Sequence, residues 1–452
     1  MDESGLIQKP KRQKLNEEQD IEKDIKSLDN LPGEIVQYIL SLLPTKDAVR
    51  TSILSKSWEN QWMCIPNLVF QQLCHGERTL FKNFVDRVLL LRDSDIEKFT
   101  FYFHVLHDAF LVNAWISAVV RHNVQELHIS LVDFEGSFSL SDCLFTCETL
   151  TRLNLDMPCI LKLLPTIYFS KLKILALRGV IFSDEYSTQQ LFSGFPVLEE
   201  LCLDDCHWIN LKVVSICAPK LSSLMIQDPY KKRRSDSDGC QVTILGVSLE
   251  SFYYTGEFFN EYSLHKSALL VEAIINVCGS RTRPRLVANR MYNLLIGFSN
   301  AKEIMLTSFA VEALRYAAEL LPHMPMFNNL LDLDFIDGSI NLDSIALLKI
   351  LQESPNLKIL EFSEVTSPAL PYCEKVDSIL DPVPPCFLSQ LKCIKVGYYN
   401  GEEKELSAVK ILLKNAVALE RIVISFSKNF AGDLEKWGKV CEQFLKLPRG
   451  SK

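Results

Sequence analysis

The sequence has no stretch of about 18 uninterrupted apolar residues, the length a membrane-spanning helix needs. The two best approaches, near Phe110–Val120 and Ala268–Cys278, are broken by Asn113 and Glu272. The opening residues, MDESGLIQKPKRQK, lack the apolar core of a secretory signal. Positive charge is not in excess either. Against 56 Asp and Glu stand 48 Lys and Arg, a net charge of −8, which gives no global attraction to nucleic acid or to an anionic membrane. Motifs that would announce catalysis are also missing: there is no P-loop, H-E-x-x-H, G-x-S-x-G or C-x-x-C. Without an export signal, the 14 cysteines, scattered through apolar segments, read as buried thiols of a reducing compartment. These absences predict a soluble intracellular protein of the nucleus, the cytoplasm or both, with no membrane or nucleic-acid partner.

What the sequence does hold is apolar material. At 452 residues and 48% hydrophobic content it suffices for about three ordinary domains or for one long repeat array. Residues 1–26 are polar and charged without periodicity, which predicts a disordered arm. Within it, Lys9-Pro10-Lys11-Arg12-Gln13-Lys14 has the composition of a nuclear-import signal and equally that of a solvated tail. Order is expected from Leu28. Leu31, Ile35, Ile39, Leu42 and Leu43 recur at helical spacing around Pro32, which suits a first helical turn. Pro44 ends that helix, and Thr45 is expected to cap the next, which carries Ala48, Val49, Ile53 and Leu54. Trp58, Trp62 and Ile65 follow before Pro66. Three short helices in about 40 residues bury too little to be very stable alone, so a partner is expected.

From Ile96 onward a different rule governs. An L-x-x-L-x-L pattern returns twelve times, as in Leu150-Leu153-Leu155, Leu198-Leu201-Leu203 and Leu357-Leu360-Phe362. Its middle positions are spaced by 22 to 34 residues and once by 52. The long interval is twice 26, which predicts a hidden repeat at Leu270-Ala273-Ile275. Such periods are those of leucine-rich repeats. The alternating apolar residues of each short strand point inward, each strand pairs in parallel with the next, and the return segment supplies a helix on the convex side. Ala310–Leu321, Ser344–Leu351 and Leu406–Asn415 have the spacing for such helices. Cys206 falls where these repeats carry Asn or Cys, and is expected to satisfy turn backbone groups or simply to pack.

Two stretches carry a family resemblance. LDNLPGEIVQYILSLLPTKDAVRTSILSKSWENQW followed by IPNLVF closely resembles an F-box of the plant F-box/LRR type. The family commonly has basic residues where this chain has Ser57 and Glu59, while the apolar positions are intact. Pro385-Cys386-Phe387-Leu388, Tyr399-Asn400-Gly401 and Leu413-Lys414-Asn415-Ala416 resemble the FBD region of plant F-box proteins. The fold class implied is α/β: a small helical F-box, then a leucine-rich-repeat solenoid, with the FBD forming the terminal repeats and cap. The expected divisions are an arm at 1–26, the F-box at 27–72, repeats at 73–369, the FBD region at 370–425, and a capping helix and tail at 426–452. Asp433–Leu447 has the helical spacing for that cap.

The resemblance implies a substrate-recruiting subunit of a cullin-RING (SCF-type) ubiquitin ligase. Its F-box binds the adaptor and, through it, the cullin, while the repeats bind a protein target. The adaptor-binding residues it implies are Leu31, Pro32, Ile35, Ile39, Leu42, Leu43, Val49, Leu54, Trp58 and Trp62. No catalytic residue, cofactor or metal is expected. Cys143 with Cys147, and Cys202 with Cys206 and His207, lie at neighbouring strand and turn positions pointing different ways. Two rivals stay open: a repeat scaffold that joins no ligase, and a ligand-sensing receptor. Arg281, Arg283, Arg285 and Arg290 are the basic set that would hold an anionic ligand. The run Lys231-Lys232-Arg233-Arg234 reads as a solvated loop.

Overall fold

The computed structural model describes residues 31–72, 78–134, 138–162, 167–229, 239–278, 283–367, 379–428 and 434–450. The arm at 1–26 with its basic cluster, the loop 231–238, Arg281 and the segment 370–378 at the start of the FBD region lie outside the described residues. The chain divides into two compact units, Met1–Glu135 with Leu140–Leu155 and Gly136–Ser139 with Asp156–Lys452.

The first unit opens with helix α1 (Gly33–Ser41) and helix α2 (Thr45–Arg50). Pro32 and Pro44 stand just before them with extended backbone, as residues do that lack an N–H and cannot continue a preceding helix. Thr45 does not cap α2. Its side chain is buried, and its Oγ1 accepts the N–H of Val69 at 2.7 Å. That N–H belongs to strand β1 (Asn67–Gln71), so the hydroxyl is spent on tying the helices to the sheet. The backbone then coils through the short turns Thr51–Ile53 and Gln61–Cys64, and Trp58 and Trp62 point inward between them.

Strand β1 pairs in parallel with β2 (Lys98–Leu106), Leu68 opposite Phe99 and Phe70 opposite Phe101. Next come β3 (Glu126–Phe134) and β4 (Arg152–Asp156), so the strands of this unit follow chain order. Phe99, Phe101 and Phe103 alternate inward along β2 and stack at 5.5–5.9 Å. Helices α3 (Arg78–Leu90) and α4 (Ala109–Arg121) cover them. Trp115 meets Phe101 and Phe103 edge-on at 5.3 Å and donates its Nε1–H to Asp86 at 2.6 Å.

In the second unit ten strands stand in chain order, each parallel to its neighbours. They are β5 (Ile174–Arg178), β6 (Glu200–Asp204), β7 (Ser223–Gln227), β8 (Ser251–Gly256) and β9 (Glu272–Val277). The rest are β10 (Glu303–Thr307), β11 (Asp332–Asn341), β12 (Ile359–Thr366), β13 (Cys393–Tyr399) and β14 (Arg421–Phe426). Strand β9 is the hidden repeat: Leu270, Ala273 and Ile275 are buried, and Ala273 pairs with Phe252 and Ile304. Burial alternates through the first residues of these two strands, with Leu201 and Leu360 inside and Glu200 and Ile359 on the other side.

The return segments are helical only in part. The helices are α5 (Glu185–Ser193), α6 (Pro284–Ile296), α7 (Ser308–Leu314), α8 (Ile345–Gln352) and α9 (Glu403–Asn415). The last two fall where spacing predicts them, while the expected helix at 310–321 stops at Leu314 and goes on in short turns at Arg315–Ala317 and Leu321–His323. Ser344 caps α8 by accepting the N–H of Leu347, and Glu402 with Glu405 forms a reciprocal capping box on α9. Between α5 and α6, however, the returns are strands. Val213–Ile216, Gln241–Leu245 and Glu261–His265 form a second parallel sheet. Val214, Ile216, Val242 and Ile244 alternate with polar residues there, and β-branched side chains at period two suit a pleat better than a helix.

At the C-terminal end, β13 and β14 continue the sheet and helix α10 (Leu434–Leu445) lies against them. Phe444 packs on Tyr399 at 5.2 Å, Val440 is buried, and the Gly450 N–H bonds to the Leu413 carbonyl at 2.8 Å. The cover is incomplete. Leu445 stays exposed, and a cavity of about 420 Å³ remains between α9, β14 and α10, lined by Leu419, Ile422, Ile424 and Phe444.

Candidate functional site

Helix α1 presents two apolar faces. Val36 and Leu40, four apart, are buried, while Ile35, Tyr38 and Leu42 are 46%, 64% and 67% exposed. Spacings of three and four residues put those three on one side of the helix. Past α2, Ile53 is 88% and Leu54 40% exposed. Ile35, Tyr38 and Leu42, aligned along one side of a helix in water, have the character of an interaction surface. Pro32 is exposed beside them, and its carbonyl accepts the N–H groups of Ile35 and Val36 at 2.9 and 3.1 Å. Leu31, Ile39, Leu43 and Val49 are half-buried.

Trp58 and Trp62 lie elsewhere. They are only 3% and 4% exposed, and Trp62 donates its indole N–H to the Glu59 carbonyl at 3.1 Å. They form the floor under the surface rather than the surface itself. Tyr38 and Ile53 are not among the adaptor-binding residues that the resemblance implies. Tyr38 was legible, three residues after Ile35 and four before Leu42. Helical spacing places Ile53 on an apolar helix, and that helix ends at Arg50. Ser57 is exposed with its Oγ 2.9 Å from that of Ser55, and Glu59 is exposed.

The floor is fixed by one buried arginine. Arg92 donates to the carbonyls of Ile65, Asp95 and Ser94 at 2.5, 2.7 and 3.0 Å. Burial depresses its pKa against the smaller opposing influence of Cys64 and Asp95. Ser94 Oγ donates to the Met63 carbonyl at 2.7 Å. The helical segment and the first strands are therefore joined by hydrogen bonds as well as by packing.

No group of three His, Cys, Asp or Glu side chains able to hold a metal exists among the described residues. Cys206 is buried and donates to the Leu177 carbonyl, His207 sits in a short strand, and Cys202 lies on the outward sheet face. Burial pushes the thiols of Cys159, Cys240 and Cys386 up to about 12, and that of Cys206 further. Thiols held so far above neutrality supply no thiolate nucleophile. Of the described arginines of the basic set, Arg283 and Arg290 meet at Phe259 and Arg285 turns away. Arg283 lies over the Phe259 ring, Arg285 pairs with Glu319 at 2.7 Å, and buried Arg290 donates to the carbonyls of Phe258 and Phe259. Among the described residues no helix is long and apolar enough to cross a membrane.

A small helical segment with an outward apolar face, leading directly into parallel leucine-rich strands, defines a leucine-rich-repeat protein of the F-box class. Three family models match the chain: F-box domain over residues 28–67, the LRR repeats of FBD-associated F-box protein At5g56370 over 112–254, and FBD over 381–424. Relatives from Arabidopsis thaliana match nearly end to end. F-box/LRR-repeat protein At3g59210 is 30% identical, with 95% of this chain and 93% of the relative covered. F-box/FBD/LRR-repeat protein At5g56420 is 28% identical, with 94% and 96% covered. The chain belongs to the plant F-box/FBD/LRR-repeat family.

Proposed function

We propose that this protein is the substrate-recruiting subunit of an SCF-type ubiquitin ligase, acting in the nucleus or cytoplasm. The exposed apolar side of α1, with Ile35, Tyr38 and Leu42, carries the proposal. Aliphatic and aromatic anchors of this kind dominate protein–protein affinity once they are desolvated. Pro32 and Leu54 extend that surface, and Trp58 and Trp62 hold it from beneath. The adaptor binds here and brings the cullin, and the repeats bind the protein target. The chain contributes position rather than reactive groups: holding a target lysine near the charged ubiquitin carrier raises its effective concentration.

The test is co-purification of the full chain with adaptor and cullin. Replacing Leu31 and Pro32 together by Ala is expected to abolish adaptor pull-down while the circular dichroism of the repeats is unchanged. The pair Ile35→Asp and Leu42→Asp, on exposed positions, is expected to do the same. Binding at wild-type strength in both variants would leave a repeat scaffold that joins no ligase, the alternative for which Ser57 is the sequence signature.

A further inference from the structure

Among the described residues no return segment covers one face of the second unit's sheet, and its side chains stand in ladders set by the strand register. One ladder runs Met225, Tyr253, Ile274, Met305, Asp334, Glu361 from β7 to β12. It is apolar over four strands and acidic over the next two. The neighbouring ladder puts Glu272, Glu303 and Asp332 side by side on β9, β10 and β11. All nine of these side chains reach solvent, Met225 most of all. Where the first ladder turns acidic beside the second, a cavity of about 70 Å³ opens among Glu303, Met305, Asp332, Asp334, Ile359 and Lys395. Lys395 is committed to Glu361 at 2.6 Å, and among the described residues no ion pair engages Glu272, Glu303, Asp332 or Asp334.

We propose that this face binds an extended segment of a protein target that carries aliphatic or aromatic side chains at one end and lysine or arginine at the other. Charge complementarity selects the occupant: four unpaired carboxylates beside an apolar strip repel an acidic segment and leave a purely apolar one half unmatched. The dimensions fit a short peptide. Four strand intervals of about 4.8 Å separate Met225 from Asp334, roughly 19 Å, or about six residues of extended chain. Burial, and after it the neighbouring Glu361, push the Asp334 carboxyl up to about 6. Around Asp334 the carboxylates of Glu361, Asp332 and Glu303 oppose the one ammonium of Lys395, while Lys358 and Lys395 lie near Asp332. The proposal deepens the receptor reading, because it names the chemistry of what is recruited.

The experiment selects nine-residue peptides from a random displayed library on the immobilised full chain. It is run at about 150 mM salt, where the screening length of about 8 Å suppresses long-range attraction. Enriched peptides are expected to hold apolar residues in one half and Lys or Arg in the other. Their affinity should fall at least tenfold in Glu303→Lys with Asp334→Lys. It should fall at least fivefold in the isosteric pair Glu303→Gln with Asp334→Asn, which guards against misfolding of the first variant. Met225→Glu should weaken the apolar end, and Glu420→Lys, exposed on another part of the surface, should change nothing. The proposal is overturned by no enrichment, by acidic or uncharged enriched peptides, by equal binding of scrambled peptides, or by affinity retained in the isosteric pair. Adaptor pull-down is scored separately. Peptide selection without adaptor binding sinks the ligase reading alone, and adaptor binding without such peptides sinks this proposal alone.

Discussion

Replacing Arg92 by Met should loosen the junction between the F-box and the first strands, and the structure sets the size of the effect. The side chain is buried, and its guanidinium binds three carbonyls. Only the bond to Ile65 is fully enclosed. Losing a charge-assisted bond there costs about 1.5–3 kcal/mol. The Ser94 and Asp95 carbonyls lie nearer solvent, where water takes over, so each adds about 0.5 kcal/mol or less. Methionine fills most of the volume and removes the desolvation of a charge, which returns part of the loss. The net expectation is about 2–3 kcal/mol in urea unfolding followed by fluorescence. Arg92→Lys should be nearly as damaging, since one ammonium cannot span three acceptors. A loss below about 0.5 kcal/mol in both variants would show that the junction holds by packing alone.

Leu201→Ala and Leu360→Ala, each at a fully enclosed strand position, should cost about 2–5 kcal/mol, while exposed Glu200→Ala and Lys358→Ala stay within about 0.5 kcal/mol; denaturant titration of the four decides. The Asp334 carboxyl is raised to about 6 in the fold against about 3.9 unfolded, so its contribution to stability is full below pH 4 and is lost as pH rises to 6. Asp334→Asn should therefore stabilise at pH 7.5 by about 1–2 kcal/mol, discounted for partial exposure, and should do nothing at pH 3.5, as thermal melts at the two values would reveal. Truncation after Ala369 removes β13, α9, β14 and α10 and exposes the apolar edge of β12, so light scattering should report aggregation; a soluble product with undiminished melting temperature would mean that the terminal strands stand alone.

The strand ladder was legible because its signal is repetitive. Leu270-Ala273-Ile275 could be placed from spacing alone, although alanine in the middle position hides the motif. The return strands at 213–216, 241–245 and 261–265 were not legible, since four- and five-residue alternations are drowned by the leucine pattern beside them. In the F-box, helical periodicity located the apolar residues but could not say which face was free. Ile35 and Val36 are adjacent and both aliphatic, and only tertiary packing decides that Val36 goes in and Ile35 out. Thr45 misled for a related reason: a hydroxyl at a helix start serves as a cap unless tertiary structure offers a better donor, and the Val69 N–H is that donor.

Strand β1 falls at the boundary in a way that bears on modularity. Residues 28–67 match the F-box domain, yet the chain goes on without a break into Leu68 and Phe70, which are buried against β2. An F-box excised at its family boundary would leave the Thr45 hydroxyl without its acceptor role and lose Arg92, which clamps the Ile65 carbonyl. One excised after β1 would carry an apolar strand with no neighbour. Grafting this F-box onto a foreign receptor therefore means transplanting through β2, to Leu106. The unit of exchange in shuffling such chains is larger than the unit that sequence matching draws.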